Sequence, residues 1–478
     1  MQRPSAGAEI PPPVADGSLV EGLRKALVVG EFAPAAEGVL VSTEGDDLQA
    51  AKDIELRLHR LKPASAALVR LFLLEQDVSE RSAADALGAL GAEAAARLGV
   101  LRRVGDRWRA TIRLALEGDL WIASDLRSAP LRATHVAGVH RPSETLAKLV
   151  VRRPVDSALD IGTGNGIQAL LLARHADSVV ATDVNERALR FTEFNALLNG
   201  VHNIETRAGS FLEPVRDQRF DVVACNPPYV ISPERRLQYR DAEIRGDVLS
   251  ERLVAGLPGA LNDGGFASIL VSSVPSSDDV LLEPMLWAAA TGCSAWVFHL
   301  HSETPREAAE WWAGPDGPDA LRVWLRWYEA QSITRIAYGA VVLRRQDGSE
   351  PWVDGMPLTG GPLGPASDHL ERLFAARARL NGSSPARVEW PPDVDLSSTE
   401  SGATLRMRAG LGLEAELSHE VAPILQELRS GNTVAAALRA AAVDVDIGRQ
   451  IVHRLAETGF LIPKPETLTA SCSSRRRP

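Results

Sequence analysis

At 478 residues the chain is long enough for two or three folded domains rather than one. Its composition, 45% hydrophobic and 24% charged, is that of a globular protein, and a net charge of −10 disfavours tight sequence-independent binding to nucleic acid. The three cysteines, Cys225, Cys293 and Cys472, form neither a metal-ligand cluster nor a disulfide framework, and no stretch reads as a signal peptide or membrane span, so a cytoplasmic protein without a resident metal is expected.

Residues 1–46 read as a disordered or irregular segment, rich at first in Pro, Ala and Gly, with one short helix from Leu19 to Val29. Residues 47–134 form a unit. Ala64 to Leu74, Ser82 to Leu90 and Ala92 to Leu98 read as helices, with Gly88, Gly91 and Gly99 as breakers. Val100 to Val104 and Arg107 to Leu116 alternate like a hairpin about Gly105-Asp106. Three helices and a hairpin suggest a winged-helix-like fold. Across 51–113, 12 lysines and arginines face 8 acids, and Arg102, Arg103, Arg107, Arg109 and Arg113 cluster in the hairpin. Such a wing fits nucleic-acid binding, but equally a solvated hairpin that docks the next domain.

The catalytic reading centres on residues 135–345. Leu159-Asp160-Ile161 reads as the end of a buried strand, Ile167 to Ala173 as a helix, and Gly162-Thr163-Gly164-Asn165-Gly166 as the tight turn between them. Glycine lets the backbone turn sharply and lets a ligand approach without a Cβ in the way, and the helix start offers free N–H groups. Gly164, Gly166 and Ala169 also fit a dinucleotide pattern, so the turn alone leaves NAD and S-adenosylmethionine (SAM) both open. Ser178 to Asp183 reads as a second strand ending in an acid placed for two ribose hydroxyls, or for capping the helix from Arg187 to Leu198.

Residues 220–229, Phe-Asp-Val-Val-Ala-Cys-Asn-Pro-Pro-Tyr, separate the alternatives. A buried strand runs into Asn226-Pro227-Pro228-Tyr229. The prolines fix the backbone so that the Asn226 side chain and nearby carbonyls face the crevice at the strand's carboxyl end. Two acceptors there suit the two hydrogens of a planar amine, and leave its nitrogen lone pair facing a methyl donor. A dehydrogenase has no use for this.

Downstream, a polar loop through Tyr239-Arg240-Asp241 is placed for substrate contacts. Leu249 to Leu261 and Val280 to Ala290 read as helices, and Phe266 to Val271, Ala295 to Leu300 and Ala337 to Leu343 as strands. Trp311-Trp312, Trp324, Trp327 and Tyr328 fall at helical spacing, as core or as a substrate groove. Residues 346–402 read as a linker or covering segment that carries a helix from Ala366 to Leu380. Residues 403–465 read as a second winged-helix-like domain, with strands at Thr404 to Met407 and Leu413 to Leu417 and helices starting near Val421, Val434 and Ile447; residues 466–478 read as a disordered tail.

On the glycine turn, Asp183 and Asn226 to Tyr229, the span 145–345 resembles the class I SAM-dependent methyltransferases. The Asn-Pro-Pro-Tyr turn resembles the branch that methylates amide or exocyclic amine nitrogens, which includes release-factor glutamine and adenine methyltransferases. The whole chain is similar to multi-domain actinobacterial methyltransferases. The resemblance implies an α/β, doubly wound and mostly parallel sheet between winged-helix-like domains, with SAM as cofactor. It implies a cofactor set of Asp160, Gly162, Thr163, Gly164, Gly166, Asp183, Val184, Ser210, Phe211 and Asn226, where Ser210 stands in for an acid that many relatives carry. Asn226, Pro227 and Tyr229 become the catalytic turn. Arg141, Ser143, Thr145, Pro228 and Tyr239 become candidates for the substrate pocket, although Pro142 and Ser143 equally fit a helix start. A peptide, protein or small-molecule substrate is expected over nucleic acid, with the flanking domains enclosing or recruiting it; a fragment spanning about 130–345 is then expected to bind SAM without turning over the natural substrate.

Overall fold

The computed structural model describes residues 10–40, 47–241, 245–346, 348, 350–358, 361–380, 384–399, 402–441 and 443–464. The chain divides into two compact units, Met1–Ala147 with Arg152–Met356, and Lys148–Val151 with Pro357–Pro478.

The first unit is built on an eight-stranded sheet. Its strands are β1 (Val155–Ile161), β2 (Ala176–Asp183), β3 (Ile204–Ala208), β4 (Phe220–Cys225), β5 (Leu261–Ser273), β6 (Ser294–Glu303), β7 (Ile336–Arg344) and β8 (Val353–Pro357), in the spatial order β8-β6-β7-β5-β4-β1-β2-β3. β3, β2, β1, β4 and β5 run parallel, and β7 runs antiparallel to both its neighbours β5 and β6. The fold is α/β and doubly wound. Leu159, Ile161, Val223, Cys225, Ile269, Val297 and Val341 are buried in one core, as near-continuous apolar strands covered on both faces require. From β1 the chain winds outward through β2 and β3, then crosses back to β4. The strand order therefore reverses between β1 and β4, where a crevice opens at the strands' carboxyl ends. Ile161 aligns with both Thr182 and Cys225, so Gly162 and Asn226 leave the sheet at the same level.

The helices before the sheet differ from expectation. Asp16 caps Gly17–Val29 by accepting from the Ser18 and Leu19 N–H groups. The chain then turns at Glu31 (φ 51°) and forms a second helix, Phe32–Leu40, in the stretch expected to be irregular. Burial explains it: Val20, Leu23, Leu27 and Phe32 are fully enclosed. Pro63–Phe72, Glu80–Leu87 and Ala92–Arg97 are the three expected helices, and Leu101–Val104 and Arg107–Ala110 the hairpin, joined by Val78–Ser79. The second arm does not run on to Leu116. It breaks at Thr111, whose side chain and N–H turn back to the Gly99 and Val100 carbonyls, and Arg113–Glu117 pairs instead with Leu120–Ser124. These elements share one core with Phe191, Phe194 and Leu198 of the helix Glu186–Leu198 that follows β2, so no gap in packing falls at the expected boundary near residue 134.

In the second unit, Ser367–Leu380 is the expected helix, and Ala422–Arg429, Val434–Ala440 and Val445–Glu457 follow. Three strands among the described residues fall in the expected linker, Val388–Glu389 pairing with Ile462–Pro463. Val353–Pro357 extends the large sheet, and Val394–Thr399 pairs with Gly402–Met407, which pairs in turn with Glu414–Ser418. Val394-Asp-Leu-Ser-Ser-Thr alternates, but its polar composition hides the period; Leu396 stands opposite Leu405. The expected tail and residues 1–9 and 41–46 lie outside the described residues. Among the described residues no helix is long and apolar enough to cross a membrane.

Candidate active site

The turn after β1 is shaped by two hydrogen bonds and two acids. The Gly162 and Thr163 N–H groups both donate to the Thr182 carbonyl at 2.9 Å, which folds the chain toward β2. Gly162 (φ 71°) and Gly164 (φ 58°) adopt left-handed backbone that a side chain would strain. A Cβ on Gly162 would sit 4.0 Å from the Asn226 carbonyl, so its absence keeps the crevice open. Asp160 is buried beneath. Its Oδ2 accepts from the Thr163 hydroxyl at 2.7 Å and the Ala169 N–H at 3.0 Å, and burial pushes its pKa up to about 7.

Asp183 closes the turn from β2. One carboxylate oxygen accepts from the Gly164 N–H at 3.0 Å and the other from the Asn185 N–H at 2.8 Å. Each oxygen keeps further acceptor capacity, the pair that two ribose hydroxyls need. Burial raises this pKa as well. The helix cap that the sequence left as an alternative for Asp183 falls to Asn185, whose side chain accepts from the Arg187 N–H.

The Asn-Pro-Pro-Tyr turn leaves β4 opposite. Tyr229 N–H donates to the Pro227 carbonyl at 2.9 Å, and Ser272 Oγ donates to the Tyr229 carbonyl at 2.6 Å. A Cβ on Gly246 would lie 2.3 Å from that carbonyl oxygen, so only glycine lets the helix Gly246–Gly256 close on the turn. Burial raises the Tyr229 hydroxyl pKa, which keeps it neutral. Its ring meets Tyr338 edge-on at 6.1 Å.

These groups face one cavity of about 710 Å³. Asp160, Gly162, Thr163, Gly164, Asp183, Val184, Phe211 and Asn226 to Tyr229 all line it. Two expected cofactor residues do not. A Cβ on Gly166 would meet Thr192 at 3.0 Å, so this glycine serves close packing of helix on helix. Ser210 lies off the wall; Gly209 and Phe211, the latter at φ 47°, form it instead. Among the substrate candidates, Ser143, Pro228 and Tyr239 line the cavity, and Tyr239 sits 6.1 Å from the His135 ring. Arg141 is exposed and off the wall, as is the half-buried Thr145. The aromatic stripe divides. Trp311 and Trp312 stand on the cavity wall, with Trp311 70% exposed, whereas Trp324 and Tyr328 are core, Tyr328 donating to the Ile231 carbonyl at 2.8 Å.

Sequence reasoning missed the cavity's other wall. Glu117, Ile122 and Asp125 come from the N-terminal elements, and no motif marks them; Arg113, read only as part of the basic hairpin, joins them. The basic hairpin is partly neutralised, with Arg102 and Arg107 left exposed. Arg109 pairs with Asp77 at 2.5 Å, Arg103 with Glu80 at 3.5 Å, Arg107 donates to the Asp77 carbonyl, and Arg113 is buried against the Leu73 carbonyl.

Comparison with known proteins follows this geometry. Residues 137–274 match the family model described as Methyltransferase small domain, and residues 24–111 match one described as Domain of unknown function (DUF7059). A putative protein N5-glutamine methyltransferase of Methanocaldococcus jannaschii is 31% identical over 160 residues, which are 31% of this chain and 80% of that protein. The chain belongs to the class I SAM-dependent methyltransferases. Release factor glutamine methyltransferases of Aliivibrio fischeri (31% identical over 121 residues, 24% of this chain) and Xylella fastidiosa (33% over 141 residues, 26% of this chain) are also similar. The chain spans only 43% and 51% of those two relatives' lengths. The methyltransferase's cofactor is SAM, and the residues present fit it: an open glycine turn, an acid with unused acceptors, and an apolar wall at Phe211.

Proposed function

We propose that this methyltransferase methylates the side-chain amide nitrogen of a glutamine-like residue in a protein or peptide. The observation that carries the reading is the level placement of Gly162 and Asn226 at the β1/β4 switch point, on one cavity. Bound SAM supplies a methyl group on a sulfonium that is its own leaving group. Asp183 holds the ribose through its unused lone pairs. The Asn226 amide oxygen and a backbone carbonyl of the turn accept the two N–H groups of the acceptor, aligning its lone pair with the donor. Tyr229, neutral and packed on Tyr338, flanks the planar group. The N–CH3 bond forms as the S–CH3 bond breaks, and the proton that the methylated nitrogen sheds passes to solvent water. An asparagine oxygen accepts a hydrogen bond but takes no proton, so the turn contributes orientation, a source of about 7–11 kcal/mol in favourable cases.

A peptide is favoured over a nucleic-acid amine because the net charge of the chain is −10, and Arg103 and Arg109 of the hairpin are ion-paired and Arg113 is buried. The N-terminal elements, read as winged-helix-like, enclose the cavity, and the C-terminal unit is read as a recruiting element. A cytoplasmic location belongs to the same reading. Incubating the full chain with SAM and glutamine-containing peptides, followed by tandem mass spectrometry, tests it: a single methyl on the glutamine side chain is expected, and methylation only at other groups overturns it.

A further inference from the structure

An asparagine amide has one accepting and one donating end. Which end faces the cavity decides whether Asn226 can orient an acceptor N–H. Asn226 Nδ2 lies 3.5 Å from Ser143 Oγ, and Ser143 Oγ lies 3.0 Å from His140 Nδ1. All three residues line the cavity. Ser143 is held at the start of its helix, where its carbonyl accepts from Gln168 Nε2 at 2.7 Å, and the Glu144 N–H donates to the His140 carbonyl at 3.1 Å.

We propose that His140 and Ser143 are positioning residues that fix the polarity of the Asn226 amide. The inference rests on the reading of Asn226 given above. A serine hydroxyl has one proton and two lone pairs. With His140 neutral and Nδ1 unprotonated, that proton goes to Nδ1. Ser143 then offers Asn226 only lone pairs, so Asn226 must present Nδ2 to it and turn Oδ1 toward the acceptor. Once His140 is protonated, Nδ1–H donates to Ser143 and frees the serine proton, which can be donated to Asn226 Oδ1. The oxygen that should receive the acceptor's N–H is then consumed or flipped away.

His140 opens onto the cavity, yet the surrounding wall disfavours its charged form and lowers its pKa, with Glu144 on the same helix pulling the other way. The other acids lining the cavity are Glu37, Glu117, Asp125, Asp160 and Asp183, and its basic groups are Arg113, Arg127, His135 and Arg240. Burial thus favours the neutral ring over the imidazolium, and the lock is its tautomer with the proton on Nε2.

The test needs no acceptor. In the ¹⁵N-labelled full chain saturated with S-adenosylhomocysteine, the Asn226 side-chain amide signal, assigned by its absence in Asn226→Ala, is followed from about pH 5 to 8, the range of histidine titration. The expected result is one titration with a midpoint below the ordinary histidine value of 6.5. It should vanish in His140→Gln, whose amide accepts at every pH, and in Ser143→Ala; if the serine variant does not fold, the histidine variant alone decides. An Asn226 signal that does not titrate, or that titrates unchanged in His140→Gln, overturns the proposal. On a glutamine peptide that the wild type methylates, Ser143→Ala should lower kcat by about tenfold at constant KM, with Ser143→Thr restoring it; an unchanged kcat in Ser143→Ala also overturns it. Failure of the wild type to methylate any glutamine peptide counts against the glutamine reading, and the spectra still decide the lock.

Discussion

Asp160 and Asp183 hold the same turn but answer to different conditions. The folded pKa of Asp160 is raised to about 7, against about 3.9 for an unfolded aspartate. A raised folded pKa means the folded state binds the proton more tightly, so the contribution is fully present below about pH 3.9 and is lost as pH rises toward 7. Asp160→Asn cannot ionise. The difference in unfolding free energy between this variant and the wild type should therefore move in the variant's favour across that window, as denaturant titrations at several pH values would record. Asp183 is instead the acid proposed to hold the cofactor's ribose. Asp183→Ala should weaken S-adenosylhomocysteine binding by about 1.5–3 kcal/mol, the range for hydrogen bonds to a charged group, and calorimetry on the folded variant measures it.

At the scale of elements, the Asn-Pro-Pro-Tyr turn works because the helix beginning at Gly246 closes on it. Gly246→Ala places a Cβ into the Tyr229 carbonyl, so the turn must shift. Methyl-transfer kcat should fall while S-adenosylhomocysteine affinity, proposed to rest on the glycine turn and Asp183, stays near wild type; a parallel loss of both would locate the damage elsewhere. Neighbours of this kind separate what the sequence discloses from what it hides. The glycine turn, Asp183 and Asn226 to Tyr229 were legible because backbone conformation and acceptor geometry each demand particular residues at short spacing. Gly246, Ser272 and the N-terminal wall at Glu117, Ile122 and Asp125 were not, since each is brought to the site by a long-range contact. Ser210 was misplaced because one residue's difference along a turn changes which side chain faces the crevice, and Thr111 broke an alternation that read as a continuous strand.

For the whole molecule, the N-terminal elements and the methyltransferase sheet behave as one folding unit. Helix Glu186–Leu198 contributes Phe191, Phe194 and Leu198 to the core under Val20, Leu23 and Phe32, and its buried Asn195 donates to the Ala123 and Asn165 carbonyls at 3.0 and 2.8 Å. A fragment of about 130–345 strips this core. In place of the cofactor binding expected from sequence, it should lack a cooperative thermal transition by circular dichroism, whereas a folded, SAM-binding fragment would make the N-terminal elements dispensable. In the proposed mechanism, two loops at one switch point bring a methyl donor and a planar nitrogen together, with Asn226 aligning the nitrogen. Single-turnover methyl transfer by Asn226→Ala, at saturating SAM and on a peptide that the wild type methylates, tests this most directly. A rate reduced at least about tenfold is expected, with S-adenosylhomocysteine affinity unchanged; a wild-type rate would mean that Asn226 does not align the nitrogen.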